Sequence, residues 1–369
     1  MNFLNDPSIR HNSLPSLVQL STALRTESHK SRYNLFVQND VIAKHPYGKG
    51  FANEITIGDT KLTKTDTAQA ELIYKWMSNV DATQLGVGRD AMRVSRYNAI
   101  SPIAIFDIQN TGSSAWTKFT AKSAEYAAEP CEAPELSWIA DLQGAFSETT
   151  RALLEAMSPD ATGSFRNPRV NEQYLCHGTS WEGALGIIGG GGFKGHEPTF
   201  IGAGAMLGKG NYFAESPEKA DQYSRGCDID QFEQDLMKPG VVPSLTEFKA
   251  AMQEWIPSLR SNFNNIQICP MLIARVLLGC PAIVDICSYE KNETIHGARV
   301  HEGPFYRPGN STLVPPFRSA LVPPFRSVVL IEGNDNQLSV CRRRFKEFVV
   351  YNGEVCLPSH LIIYARVLQ

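Results

Sequence analysis

The chain has 369 residues, of which 43 % are hydrophobic and 20 % charged, with a formal net charge of −3. That balance lies in the ordinary globular range and excludes a disordered chain, a collagen-like fibre and a coiled-coil rod. The near-neutral charge provides no basic face for nucleic acid, and no apolar run is long enough to cross a bilayer. The first fifteen residues hold no continuous apolar core, so no cleaved secretory signal is expected. The eight cysteines are scattered, with no CxxC pair and no histidine at zinc-finger spacing. They read as reduced, mostly buried thiols of an intracellular protein, with no metal site.

Residues 1–30, rich in Ser, Asn and Pro, predict a loose arm. Residues 31–130 predict a small α/β accessory region of unknown role, with strands over 33–42 and 102–108. Between these strands, residues 65–77 place Ala68, Leu72, Ile73 and Trp76 on one helical face. The stretch 127–134, AAEPCEAP, interrupts any periodicity and marks a boundary. After it, Leu136, Ile139, Leu142, Phe146, Leu153 and Met157 predict an amphipathic helix that ends before Ser158-Pro159. Beyond residue 170 the chain is glycine-rich, then strand-rich, with short β-type runs over 271–278, 283–287, 328–331, 347–351 and 360–367. The heptapeptide LVPPFRS occurs twice, at 313–319 and 321–327. Its proline pairs predict an extended, projecting loop.

The densest chemical signal runs from residue 174 to residue 223. A Walker A loop fails there, because Ala203 stands where the first glycine belongs and Gly210 follows Gly208-Lys209. A dinucleotide fingerprint also fails, because Leu207 occupies the place of the third glycine. No GxSxG elbow is present. What remains is a strand YLCHGT followed by a helix over 181–188, with Thr179 and Glu182 spaced as a capping box. His177 falls at the strand end, beside the bare backbone of Gly178. Residues 211–214 predict a short strand. Ser216-Pro217-Glu218 then opens a second helix that carries Lys219 and Tyr223.

HGT, followed by GKGNYFA and a helix ending in QY, closely resembles the catalytic domain of the poly(ADP-ribose) polymerases, in the diphtheria-toxin-like branch of ADP-ribosyltransferases. The tail KEFVVYNGEVCLPSHLIIYARV is similar to the last two strands of that domain, especially as they occur in tankyrases. The resemblance spans residues 135–369. It implies an α+β ADP-ribosyltransferase fold: two packed, mainly antiparallel sheets with an NAD cleft, preceded by the accessory region. It also implies transfer of ADP-ribose from NAD⁺, as substrate, to a macromolecular acceptor, expected to be protein, with release of nicotinamide and no metal. NAD⁺ hydrolysis, or a non-catalytic module binding ADP-ribose or a partner, is the alternative on the same fold.

By the same resemblance, Glu347 is the catalytic glutamate, and His177, Tyr212 and Lys219 complete the catalytic set. His177 and the Thr179 hydroxyl would bond the adenosine ribose, and the Gly178 backbone would grip the nicotinamide carboxamide. Tyr212 and Tyr223 would sandwich the ring, with Phe213 and Ala214 completing the NAD⁺-binding set. One departure is Ala220, which stands where the family often has a serine bonding the carboxamide. The chemistry agrees with such a site. Breaking the nicotinamide–ribose bond develops an oxocarbenium-like centre and a neutral leaving group. It therefore calls for a placed carboxylate more than for a strong general acid.

Overall fold

The computed structural model describes residues 48, 50–66, 70–71, 73–74, 77, 85, 97–128, 170–195, 210–236, 245–255, 266–284, 294–295, 298–299, 326–330 and 347–368. Four sequence-predicted features lie outside them. These are the arm over 1–30, the strand over 33–42, the helix over 136–157 and all but the end of the loop bearing the LVPPFRS repeats.

The N-terminal part contributes β1 (Glu54–Ile57), β2 (Thr60–Lys64), β3 (Tyr97–Ile108) and helix α1 (Ser114–Ala128). Next come β4 (Glu172–Gly178), α2 (Trp181–Gly189), β5 (Asn211–Ala214) and α3 (Pro217–Asp221). Helices α4 (Ile229–Leu236) and α5 (Leu245–Trp255) lead into β6 (Ile266–Leu277) and β7 (Pro281–Val284). A small hairpin, β8 (Thr294–Ile295) with β9 (Ala298–Arg299), precedes β10 (Ser327–Leu330), β11 (Glu347–Val350) and β12 (Cys356–Leu368).

Ten strands form one ladder in the order β1-β2-β3-β12-β6-β4-β5-β11-β10-β7. Every neighbouring pair is antiparallel except β10 with β7. The mainly antiparallel α+β character is as expected. The two layers expected as separate sheets are joined, because β4 and β5 share the single residue pair Cys176 and Ala214. Residues assigned to an accessory region also enter this sheet directly, since β3 lies against β12 over most of its length.

Alternation along the central strands divides the apolar side chains between two faces. Phe106, Leu175, Leu272 and Leu361 belong to one buried cluster, and Ile105, Cys176, Met271 and Ile362 to the other. The predicted helix over 65–77 is seen at Ala70, Glu71, Ile73, Tyr74 and Met77, with Ala70, Ile73 and Met77 buried. One expectation needs correction. Cys280 is disulfide-bonded, so the thiols are not reduced throughout, whereas the buried Cys176, Cys269 and Cys356 are free thiols. The hairpin β1–β2 and α1 had no counterpart among the expected elements. Among the described residues, no helix is long and apolar enough to cross a membrane.

β3 and β12 are also tied by charge. His360 Nε2 lies 3.0 Å from Asp107 Oδ1, at directly paired positions of the two strands, and the Thr65 hydroxyl donates to the same oxygen at 2.8 Å. Burial alone would raise the Asp107 pKa, but the His360 hydrogen bond and charge, with Thr65, hold it below the ordinary 3.8. A carboxyl depressed in the folded state adds stability above its unfolded pKa and loses it as pH falls through the folded value. Melting temperature measured from pH 6 down to about 2 should therefore fall more steeply for the natural chain than for Asp107→Asn. Parallel curves would remove Asp107 from the acid response.

Candidate active site

Five elements converge where β4 and β5 part. β5 pairs with β11 in full register, placing Ala214 opposite Glu347 and Tyr212 opposite Val349. Directly paired residues share a face and alternate residues repeat it, so Tyr212, Ala214, Val349 and Glu347 lie on one side. Past the Cys176–Ala214 pair, the β4 and β5 backbones no longer bond to each other, and the His177 ring bridges the gap. Its Nδ1 lies 2.8 Å from the Tyr212 carbonyl oxygen. A carbonyl only accepts, so Nδ1 carries the proton, and in the neutral ring Nε2 is then the acceptor. Phe193 and Phe213 pack on the imidazole at centroid distances of 5.2 and 5.4 Å and fix its plane.

The neighbouring helices meet this gap through local capping. Ser180, in extended backbone, caps α2 by accepting from the Gly183 N–H. The N-cap expected at Thr179 is thus displaced by one residue, and with Gly183 at the third position the box itself is lost. The reason is tertiary, since the Thr179 carbonyl accepts from the Arg225 N–H and is held outside the helix. The Thr179 hydroxyl lies over Gly183, where a Cβ would approach it to 2.2 Å. Ser216 caps α3 with Pro217 in the first turn, as the sequence predicts. The helix stops at Asp221, however, so Tyr223 lies in the turn beyond it instead of on it.

That short helix delivers the densest charge in the site. Lys219 Nζ lies 2.9 Å from Glu347 Oε1, with both side chains buried. Lys219 also lies 5.2 Å from the centroid of the Tyr223 ring, which is 45 % exposed. Removing either member of a buried pair leaves an uncompensated charge, at a cost of roughly 3–5 kcal/mol. Gly178 is pressed against the same helix, where a Cβ would come within 1.7 Å of the Ala220 carbonyl oxygen. The Cys176 thiol is pushed well up by burial, with Glu218 and Glu215 adding to the effect, so it is no nucleophile.

Glu347, Lys219 and Tyr223 thus form one cluster, Gly178 abuts its helix, and His177 is held by Tyr212 and Phe213 across the gap. Ala214 joins the two parts as the residue paired with both Cys176 and Glu347. Motif and spacing did not single out Phe193, or a buried polar group around Asp221. Among the described residues, no three of His, Cys, Asp and Glu converge as a metal-binding group.

A family model for the poly(ADP-ribose) polymerase catalytic domain matches residues 147–366. The chain belongs to this family. Membership carries the general activity of the poly(ADP-ribose) polymerase catalytic domain, transfer of ADP-ribose from NAD⁺. The match is to the family as a whole and does not single out tankyrases. No curated protein matches the chain.

The Gly178 contact gives a sharp test. Gly178→Ala should destabilise the fold by about 1–3 kcal/mol through overpacking against α3. Gly186→Ala, inside α2 with nothing within 4 Å of the new Cβ, should be neutral or stabilising by up to about 1 kcal/mol. Denaturant unfolding measures both, and equal effects would mean that α3 yields freely at Gly178.

Proposed function

We propose that the site at the β4–β5 gap cleaves NAD⁺ at the nicotinamide–ribose bond and transfers ADP-ribose to a protein side chain. The observation that carries this reading is the buried Lys219–Glu347 pair at 2.9 Å, beside the exposed Tyr223 and on the strand next to Tyr212. The Gly178 backbone, which the close approach of Ala220 restricts to glycine, would hold the nicotinamide carboxamide. Tyr212 and Tyr223 would cover the two faces of the cationic ring, with the entropy loss of only a few rotors. His177 Nε2, the acceptor of a neutral ring whose Nδ1 donates to the Tyr212 carbonyl, and the Thr179 hydroxyl would take the adenosine ribose hydroxyls. Phe213 fixes the His177 plane, and Ala214 holds the junction.

Glu347 then has two tasks. Hydrogen-bonded to the nicotinamide-side ribose, it would stabilise positive charge as the bond lengthens and nicotinamide leaves neutral. It would next take the proton of the incoming acceptor. Lys219 would orient the carboxylate and balance its charge while the site is empty. Ala220 offers no hydroxyl to the carboxamide, so the Gly178 backbone carries more of that recognition here.

Incubation with NAD⁺ labelled in its adenylate half, with nicotinamide release followed in parallel, tests the reading. Nicotinamide release with label on protein supports transfer. Release with free labelled ADP-ribose alone supports hydrolysis, and no release leaves a non-catalytic binding module. Glu347→Gln leaves Lys219 uncompensated and should lower stability by roughly 3–5 kcal/mol. In the fraction that remains folded, measured at low temperature, it should lower the rate by about 10² or more while retaining NAD⁺ binding, as expected for loss of a placed acid–base group. A rate near that of the natural chain would put the carboxylate elsewhere.

Tyr223→Ala should weaken benzamide, a nicotinamide stand-in, by about 1 kcal/mol and leave ADP-ribose binding unchanged. Equal weakening of both would mark Tyr223 as structural. Ala220→Ser should tighten benzamide binding, and no change would show that another donor already serves the carboxamide.

A further inference from the structure

Behind α3 lies a polar cluster with no part in the proposed chemistry. Asp221, the last residue of the helix, is completely buried. Its carboxylate accepts from three side chains: the Tyr97 hydroxyl at 2.5 Å, the Tyr364 hydroxyl at 2.5 Å and Arg366 Nε at 2.8 Å. Arg366 also donates through Nη2 to the Asp221 and Ser224 carbonyls, and its guanidinium lies 4.9 Å from the Tyr97 ring centroid. The Ser224 hydroxyl donates in turn to the Pro270 carbonyl at 2.9 Å. Burial, with the neighbouring Asp221 charge, raises both tyrosine hydroxyls far above their ordinary range, so they remain donors.

The position of this cluster gives it meaning. α3 has only five residues, too few to hold its own conformation in water. Two residues before Asp221 is Lys219, paired with Glu347. Two residues after it is Tyr223, whose N–H bonds the Ala220 carbonyl at 3.0 Å, while the Ser224 N–H bonds the Asp221 carbonyl at 3.0 Å. The clamp on Asp221 and on the Asp221 and Ser224 carbonyls therefore holds both ends of the turn that presents Tyr223. Apolar packing alone allows a short helix to slide between near-equal arrangements. Five directional hydrogen bonds from β3 and β12 do not. One of these donors, Tyr97, lies outside the segment that the family model matches.

We propose that Asp221 is a positioning residue for the nicotinamide end of the site. Clamped by Tyr97, Tyr364 and Arg366, it sets the turn that brings Tyr223 and Lys219 to Glu347. The inference rests on the reading given under Proposed function and assigns part of the positioning to β3.

Asp221→Asn would leave Arg366 buried and uncompensated, so milder changes are the better test. In the full chain, Tyr97→Phe, Tyr364→Phe and the double variant remove hydroxyls and keep both rings. Two readouts apply: affinity for benzamide and for ADP-ribose, and amide hydrogen exchange over residues 217–224. In the double variant, benzamide should weaken by about fivefold or more, the effect of losing hydrogen bonds to a charged group. ADP-ribose affinity should hold, and exchange over 217–224 should rise. Unchanged exchange, or equal effects on the two ligands, would reduce the cluster to a structural role. A natural chain that binds neither ligand overturns the NAD⁺ reading, and this inference with it, before any variant is compared.

Discussion

A single residue pair joins the two halves of this sheet. β4 and β5 pair as ladder residues only at Cys176 and Ala214, and the geometry of the site depends on that economy of pairing. Had the ladder continued, His177 would face Phe213 in register and its backbone would be used up within the sheet. Because it stops, the His177 ring bonds a main-chain carbonyl of the opposite strand, and α3 packs directly on Gly178, which has no side chain to hold it off. Ala214 faces Cys176 on one side and Glu347 on the other, so the junction also sets the distance from β4 to the carboxylate.

Two buried ion pairs act on a helix of five residues. Lys219 with Glu347 faces the gap, and Asp221 with Arg366 faces the core. Buried pairs add little net stability, because desolvation offsets much of the Coulomb attraction. Their effect is on geometry. With charge compensated at both residues, rotation of α3 would break one pair or the other, and either loss is severe. The gap side meanwhile keeps Tyr223 exposed, so the helix is fixed while its ring stays open to solvent. The Tyr212 carbonyl accepts from His177 Nδ1 from the other strand and so selects the Nδ1–H tautomer of the neutral ring.

Much of this site is legible locally. His177 at a strand end, the strand Asn211–Ala214, Ser216 as a cap and Glu347 opening a strand all derive from motif and turn chemistry within a few residues. The polar cluster is not legible in that way, because Tyr97 and Asp221 are 124 positions apart and Arg366 and Asp221 are 145 apart. One signal was available: an arginine inside the apolar run HLIIYARV requires a buried counter-charge. Thr179 and Ser180 are both good caps, and only the pairing with Arg225 decides between them. The hairpin β1–β2 escaped notice because its strands, EITI and TKLTK, are short and half polar. In α1 the buried residues Ala115, Phe119 and Tyr126 are too sparse to give a strong stripe. The Cys280 disulfide left no mark in the cysteine spacing.

The proposed chemistry turns on where the nicotinamide ring lies. A crystal structure of the full chain with benzamide bound measures this most directly. The expected result is density for the ring between Tyr212 and Tyr223, with its carboxamide on the Gly178 backbone and its edge toward Glu347. Density only in the surface cavity lined by Lys118, Gly190–Gly195 and Glu354, with the β4–β5 gap unchanged, would contradict that placement and the chemistry built on it.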